Sequence, residues 1–282
     1  MKYDILNSKE EIALCNERIN EKEKQCKEFS LSIRRGRKTD LLYNNFHKYL
    51  SLYRAMIFDR YNIGQHAKVL SERTTGMYSG YRFYHIFKHM IRLNPKTVYE
   101  YGCGSSTAFI GEVLRFIDYE KSERLKKKQT IWDKLFGISR YFLKPKRGEK
   151  RKLISFEQNP KYYDLVQSNF PEELRKYVEI KLVPLKYKKY GDYRGLSYNV
   201  EEYPSSVDLA YIDGPTRTRG DENTQKFWIM SDIIDLINNG CDLKFALTDH
   251  RYTNYIAYKD LIGDRYDISF VKKYRSIEIH KK

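Results

Sequence analysis

The feature that most constrains the fold is a regular alternation of short apolar runs and helical segments from Thr97 onward. Seven runs have the length and composition of strands, at 97–101, 152–156, 178–183, 207–212, 243–247, 266–271 and 276–280. Helical segments follow at 106–117, after Asn159-Pro160 and at 224–237. Because strands that alternate with helices form mainly parallel sheets covered on both faces, the sequence predicts an α/β, Rossmann-like, doubly wound, seven-stranded fold. The last two runs predict a C-terminal antiparallel hairpin.

The N-terminal part of the chain has a different pattern. Residues 8–29 are charged with few apolar positions, which predicts a solvated helix or short coiled coil and, through it, a homodimer. Apolar residues recur at helical spacing over 41–58, and another helix is predicted over 81–93, where Asn94-Pro95 blocks continuation. We therefore expect an N-terminal helical appendage at 1–75 and one α/β domain at 76–282.

The charge of the chain indicates an anionic partner. Its 53 lysines and arginines exceed its 37 acidic residues and give a formal net charge of +16. Such an excess suits nucleic acid, an anionic membrane surface, or an acidic small molecule or glycan. The alternative is that the charge only keeps the protein soluble.

Cysteine usage and apolar runs indicate the compartment. The four cysteines are scattered with no C-x-x-C pair, which argues against a zinc site or disulfide framework and suits a reducing environment. The first residues lack the apolar core of a signal peptide, and no run of about 18 apolar residues predicts a membrane span. We expect a cytoplasmic protein.

A glycine turn joins the first predicted strand to its helix, in the sequence from Val98 to Thr107, VYEYGCGSST. Gly102 and Gly104 suit a sharp turn or a close ligand approach, and the helix start beyond them offers N–H groups. A dinucleotide-binding turn would need glycine at position 107, where this chain has Thr107. NAD is therefore disfavoured, and a ligand without a pyrophosphate fits better.

This turn resembles motif I of class I S-adenosylmethionine (SAM) dependent methyltransferases, whose pattern is acidic-x-Gly-x-Gly. The resemblance spans about residues 81–282 and implies a SAM-binding enzyme with Glu100 near the amino-acid end of the cofactor. The implied cofactor-binding residues at this turn are Glu100, Gly102, Cys103, Gly104, Ser105, Ser106 and Thr107. Ser106 departs from the third glycine that is frequent in the family.

The second signal is Glu157 at the end of the next strand. A carboxylate there can accept both hydroxyl hydrogens of a ribose. The resemblance assigns this role to Glu157, with Gln158 beside it.

Two further strands end in carboxylates, at Asp213 in Ile-Asp-Gly-Pro and at Asp249 in Thr-Asp-His. Neighbouring parallel strands end side by side, so both should face the same crevice. In one interpretation Asp213, Asp249 and His250 hold a divalent metal such as Mg²⁺ or Mn²⁺, similar to catechol O-methyltransferase-like enzymes. In the other there is no metal, and His250 or Asp213 is the general base. We favour an acid-lined O-methylation site and leave the metal open.

Two basic segments suggest where partners bind. The insertion at 118–150 interleaves bases with apolar residues, which suits either a helix at an anionic membrane interface or one packed on the domain. The segment 186–194 leads from the third strand towards the fourth, above the crevice. From these features and the arginines after Asp213 we predict an acceptor site formed by Lys188, Lys189, Tyr190, Arg217 and Arg219; a plain exposed loop is the alternative.

Three functions remain in competition. The first is O-methylation of an anionic glycan or small molecule, since Glu-x-Gly-x-Gly-x-Ser together with Ile-Asp-Gly-Pro also resembles polysaccharide methyltransferases. The second is RNA methylation, which suits the charge, but the Asn/Asp-Pro-Pro-Tyr/Phe sequence of base amino-group methylases is absent. The third is a non-catalytic methyltransferase-like binding protein.

Overall fold

The computed structural model describes residues 58, 63–74, 80–119, 150–215, 228–249, 251–271 and 274–282. The helices in chain order are α1 (Gln65–Arg73), α2 (Gly80–Leu93), α3 (Ser105–Tyr119), α4 (Pro160–Asn169), α5 (Asp232–Asn238) and α6 (Tyr252–Ile262), with a 3₁₀ turn at Glu172–Leu174. The strands are β1 (Thr97–Tyr101), β2 (Lys152–Glu157), β3 (Val178–Leu182), β4 (Leu185–Tyr190), β5 (Tyr193–Tyr198), β6 (Ser206–Val207), β7 (Leu209–Ile212), β8 (Trp228–Met230), β9 (Asp242–Leu243), β10 (Phe245–Asp249), β11 (Tyr266–Val271) and β12 (Ser276–Lys281).

The central sheet has seven strands in the order β11-β12-β10-β7-β1-β2-β3. Neighbouring strands from β10 to β3 are parallel, whereas β12 is antiparallel to both β10 and β11. This confirms the predicted mainly parallel, Rossmann-like sheet with a C-terminal antiparallel hairpin. The structure adds that β12 lies inside the sheet, between β10 and the edge strand β11.

Helices cover both faces of the sheet, as a doubly wound fold requires. Successive residues of β1 point to opposite faces, so Val98 lies in one apolar core and Tyr99 in the other. The first core contains buried residues of α1, α2 and α3, and the second contains those of α5 and α6. In α2 the buried residues Phe83, Ile86, Phe87 and Met90 recur at the helical spacing that the sequence shows.

Two predicted elements are corrected by the structure. Residues Trp228–Met230, predicted to lie within a helix at 224–237, form β8, which pairs in parallel with Arg194–Leu196 of β5. The helix begins only at Asp232, whose carboxylate accepts the backbone N–H of Tyr198 at 2.8 Å. The strand predicted at 207–212 is interrupted at Asp208, because its carboxylate turns to accept the N–H groups of Lys96 and Thr97.

Helix α1 belongs to the packed domain. Its Ala67 and Leu70 are fully buried in the first core, and the Glu112 carboxylate on α3 accepts the backbone N–H groups of Gly64 at 2.7 Å and His66 at 2.9 Å. These bonds satisfy donors at the start of α1. The predicted boundary at residue 75 therefore falls within a packed unit, as far as the described residues 63–74 reach.

Glu112 gives the fold a testable dependence on pH. Burial raises the pKa of its carboxyl to about 7, from 4.5. Between pH 4.5 and about pH 7 the Glu112 carboxyl keeps its proton in the folded protein but has released it in the unfolded chain. The free energy of unfolding therefore falls as pH rises through this range. Because glutamine cannot ionise, we expect the unfolding free energy of Glu112→Gln to decrease with pH by roughly 1–2 kcal/mol less than that of the wild type.

Denaturant unfolding of both proteins at about pH 5 and about pH 8 measures this effect. The advantage of the wild type over the variant should shrink between the two pH values. A difference that is the same at both values would contradict the assignment.

Some expectations lie outside the described residues. They include the N-terminal coiled coil with its homodimer, nearly all of the helix predicted over 41–58, and nearly all of the basic insertion 118–150 with its membrane contact. Among the described helices, none is both long and apolar enough to cross a bilayer.

Candidate functional site

A crevice lies where the parallel strands end. In the strand register Tyr101 is opposite both Phe156 and Ile212, and Thr248 is opposite Ile212. The ends of β1, β2, β7 and β10 therefore lie along one edge of the sheet. Open α/β sheets bind their ligands at this edge. The predicted cofactor residues and the predicted catalytic carboxylates all follow from these four strand ends.

The backbone conformation and packing at position 102 require a glycine. Its φ of +102° lies in the region that favours glycine, and its N–H donates to the carbonyl of Phe156 at 2.9 Å. A Cβ at this position would lie 2.6 Å from the backbone nitrogen of Gly214 and 2.8 Å from its Cα. The turn after β1 is thus packed directly against the turn after β7. The role of Gly102 in letting the cofactor pass stays a prediction.

Helix α3 begins at Ser105, directly after the glycine turn. The Gly104 N–H donates to Thr107 Oγ1 at 2.8 Å, and Ser105, Ser106 and Thr107 are all buried. The positive end of the helix dipole therefore lies at the crevice. The hydroxyl of Tyr162, from the first turn of α4, lies 3.1 Å from where a Cβ on Gly104 would be.

Glu100 is fully buried at the end of β1. Its Oε2 accepts the hydroxyls of Thr107 at 2.6 Å and Ser155 at 2.7 Å. Its Oε1 lies near Ser106 but has no partner with normal hydrogen-bond geometry among the described residues. Burial raises the pKa of this carboxyl to about 7, although the hydroxyls oppose the rise. A buried carboxylate oxygen without a partner is a fitting acceptor for a donor that arrives with a ligand.

Glu157 ends β2 and is 4% exposed. Its Oε1 accepts the backbone N–H groups of Gln158 at 2.9 Å and Asn159 at 2.8 Å. Its Oε2 has a weaker donor, the thiol of Cys103 at 3.5 Å. Burial, with the nearby Glu157 charge, raises the pKa of Cys103, so its sulfur carries a proton and acts as a donor. Oε2 is therefore the oxygen that is available to accept hydrogen bonds from ribose hydroxyls.

Two tyrosines that the sequence did not single out shape this end of the crevice. Tyr198 is buried and donates to Gln158 Oε1 at 2.6 Å, which fixes the orientation of the predicted cofactor residue Gln158. Tyr162 follows the helix start at Asn159-Pro160, where Asn159 caps the helix by accepting the Tyr162 N–H. The Asn159-Pro160 helix start is the sequence feature from which the position of Tyr162, in the first turn of α4, could have been predicted.

Asp213 and Asp249 end the neighbouring strands β7 and β10, as predicted. Asp213 pairs with Arg82 of α2 at 3.3 Å, and Asp249 pairs with Arg251 at 2.9 Å. Burial within the crevice raises the pKa of Asp213 and Asp249 adds to this, whereas Arg82 opposes it. The Asp213 side chain keeps 40% of its surface open to solvent, so water moderates the shift.

Asp213 and Asp249, the two described residues of the predicted metal site, fit a metal ion poorly. Each carboxylate already pairs with an arginine, and the positive charge of the two guanidinium groups would repel a divalent cation held there. The third predicted ligand, His250, lies outside the described residues. The metal-free interpretation, with Asp213 as general base, agrees better with these pairs, and both interpretations stay predictions.

The predicted acceptor segment is a strand rather than an exposed loop. β4 and β5 form an antiparallel pair in a separate three-stranded sheet with β8. Tyr190 is fully buried and donates to Asp235 of α5 at 2.6 Å, and Lys188 Nζ lies 3.0 Å from the same oxygen. These two side chains hold the sheet to α5 in this structure. Acceptor binding stays a prediction for Lys188, Lys189 and Tyr190, and Arg217 and Arg219 lie outside the described residues.

No family model matches the chain, and no curated protein sequence matches it. Among solved structures, a crystal structure of the SAH-bound Podospora anserina methyltransferase PaMTH1 is similar, with 12% sequence identity and a TM-score of 0.42, over 84% of this chain and 96% of that chain. At this identity and score, the fold assignment rests on the strand order of the chain itself and not on the likeness.

Proposed function

We propose that this protein is a SAM-dependent methyltransferase that methylates a hydroxyl of an anionic glycan or small molecule. The observation that carries the proposal is the pair of buried carboxylates, Glu100 and Glu157, at the ends of adjacent parallel strands on either side of a glycine turn. Each has one oxygen held by the protein and one with a weak donor or none among the described residues. Such a pair suits a ligand with a diol at one end and an ammonium group at the other.

In this proposal each residue has one task. Glu157 Oε2 accepts the ribose hydroxyls, and the bonds from the Gln158 and Asn159 amides to Oε1 hold the carboxylate in place. Glu100 Oε1 accepts the ammonium group of the methionine moiety. SAM supplies the electrophilic methyl group. Asp213 takes the proton from the acceptor hydroxyl, and Arg82 beside it holds the carboxylate in position.

The basic charge of the chain supports an anionic acceptor, and two arginines at the crevice support it further. Arg82 and Arg251 flank the carboxylates at the crevice, so a sugar acid could approach without meeting uncompensated negative charge. RNA is the alternative acceptor. Transfer of labelled methyl from SAM to total RNA and to cell-envelope extract separates the two. Labelling of the envelope extract is expected, and labelling of RNA alone would overturn the acceptor class.

A cofactor screen tests whether the protein binds SAM, on which the whole proposal depends. SAM and its demethylated product S-adenosylhomocysteine (SAH) should stabilise the protein against heat, by roughly 2.7 kcal/mol at a concentration 100 times the Kd. NAD⁺ at the same concentration should leave the melting temperature unchanged, because position 107 is threonine. Stabilisation by NAD⁺ and not by SAH would refute the assignment.

The metal interpretation has its own test. Activity towards the labelled acceptor is measured after chelation with EDTA and again after addition of Mg²⁺ or Mn²⁺. From the arginine pairs at Asp213 and Asp249 we expect full activity in EDTA. Loss of activity that Mg²⁺ restores would instead support a metal held by Asp213, Asp249 and His250.

A further inference from the structure

Three ligand-type side chains converge between helix α2 and strand β12, and none of them is among the predicted cofactor or catalytic residues. His85 and His89 lie one turn apart on α2, and Glu278 lies on β12. His85 Nε2 is 2.7 Å from Glu278 Oε1, His89 Nε2 is 3.2 Å from the same oxygen, and the two Nε2 atoms are 3.0 Å apart. Two imidazoles and one carboxylate are a ligand set that zinc takes in proteins.

We propose that His85, His89 and Glu278 bind a divalent transition-metal ion of the zinc class. The site uses none of the residues of the cofactor crevice, and the proposal does not depend on the proposed function. It is also distinct from the metal interpretation of Asp213, Asp249 and His250.

Without a metal, this triangle of atoms is satisfied in only one crowded way. A neutral imidazole has one N–H and one lone pair. If both Nε2 atoms carry protons, the two N–H groups share the single oxygen Glu278 Oε1 while the two nitrogens stand 3.0 Å apart. If one or both lack protons, a nitrogen lone pair faces the Glu278 oxygen at 2.7 or 3.2 Å. A cation between the three atoms meets all three lone pairs at once.

Burial suits this cluster to metal binding, because it disfavours the charged form of an imidazole and a metal binds the neutral form. Both histidines are almost fully buried, and the Glu278 carboxylate beside them would offset part of the charge of the ion.

Neighbouring groups hold the three side chains in orientation. The His85 ring stacks on Tyr274 with centroids 3.9 Å apart, and the His89 ring stacks on Phe245 at 4.4 Å. Ser276 Oγ lies 3.1 Å from His85 Nδ1, and His280 Nε2 lies 3.1 Å from Glu278 Oε2. Such outer contacts fix ligand rings at metal sites.

Arg92 is the one contact that must change. Its guanidinium lies 3.4 Å from His89 Nδ1, which metal binding through Nε2 would leave protonated. Arg92 is exposed, so its side chain can turn to solvent at little cost.

The site lies beside a small cavity and has a structural consequence. The cavity reaches His85, together with Tyr274 and Ser276, and it extends to Arg82 and Asp249 on the side of the crevice. A bound ion would join α2 to β12.

The test uses the full-length chain without a histidine tag. The protein is stripped with a chelator and titrated with Zn²⁺ by calorimetry, and bound metal is counted by mass spectrometry after dialysis. We expect one Zn²⁺ per chain and a rise in melting temperature. His89→Gln and Glu278→Gln should each weaken binding by about 100-fold or more and lose the thermal shift.

His66→Gln is the matched control, because His66 makes a surface pair with Glu173 at 2.9 Å and should leave binding intact. Two variants are used so that one that fails to fold without metal does not decide the result. Asp249→Asn should also keep the ion. No zinc in the wild type, or zinc retained in both cluster variants, would overturn the proposal, as would loss of zinc in Asp249→Asn alone.

Discussion

Replacement of Glu157 by glutamine is expected to weaken SAM binding by about 100-fold, or about 2.7 kcal/mol. The wild-type carboxylate can accept both ribose hydroxyls as charge-assisted hydrogen bonds, whereas the amide brings no charge and a single acceptor oxygen. That oxygen also has to serve the backbone N–H groups of Gln158 and Asn159, at 2.9 and 2.8 Å. Equilibrium dialysis with labelled SAM measures the change in Kd.

Glu179→Gln is the matched control for this variant. Glu179 lies on the adjacent strand β3, 39% exposed, and pairs with surface lysines. Its loss should leave the Kd for SAM unchanged. If Glu157→Gln binds SAM as tightly as this control does, Glu157 does not hold the ribose.

Replacement of Gly102 by alanine is expected to destabilise the fold by about 3–5 kcal/mol. The added Cβ would meet the Gly214 backbone at 2.6 Å, and a backbone atom cannot move away as a side-chain end can. The φ of +102° adds strain of its own. The measurement is the free energy of unfolding in denaturant, with wild type and variant under the same conditions.

Gly240→Ala separates the contact from the strain. Gly240 also has a positive φ, +83°, but nothing lies within 4 Å of a Cβ placed there. We expect it to cost only about 1–2 kcal/mol. Equal losses in the two variants would show that the turns after β1 and β7 are not in close contact.

Much of the fold could be predicted because its strands are short, apolar and separated by helices with clear limits. The helix at Gly80–Leu93 was predicted to within a residue at its start, because Asn94-Pro95 ends it and its apolar residues share one face. Trp228–Met230 was missed because three apolar residues before a helix have no period that separates strand from helix. The insertion of β12 between β10 and β11 was also out of reach, since strand order depends on contacts distant in sequence.

The candidate cofactor residues could be predicted because each follows directly from a strand end. To predict these positions it was enough to locate the end of a strand and to consider the chemistry of the residues there, which are Glu100, Gly102 and Glu157. Arg82 could not be assigned in this way, because its partner Asp213 is 131 residues further along the chain. His85 and His89 are visible as a pair one helical turn apart, but Glu278 is 193 residues from His85. Only the fold brings these groups together.

Calorimetric titration of SAH into the wild-type protein tests the central claim most directly, because the product binds without turnover and needs no acceptor. One SAH per chain is predicted, with displacement by SAM and with heat strongly reduced in Glu157→Gln. A titration that gives no heat of binding and no thermal shift, with protein shown to be folded, would contradict the assignment of the crevice to SAM.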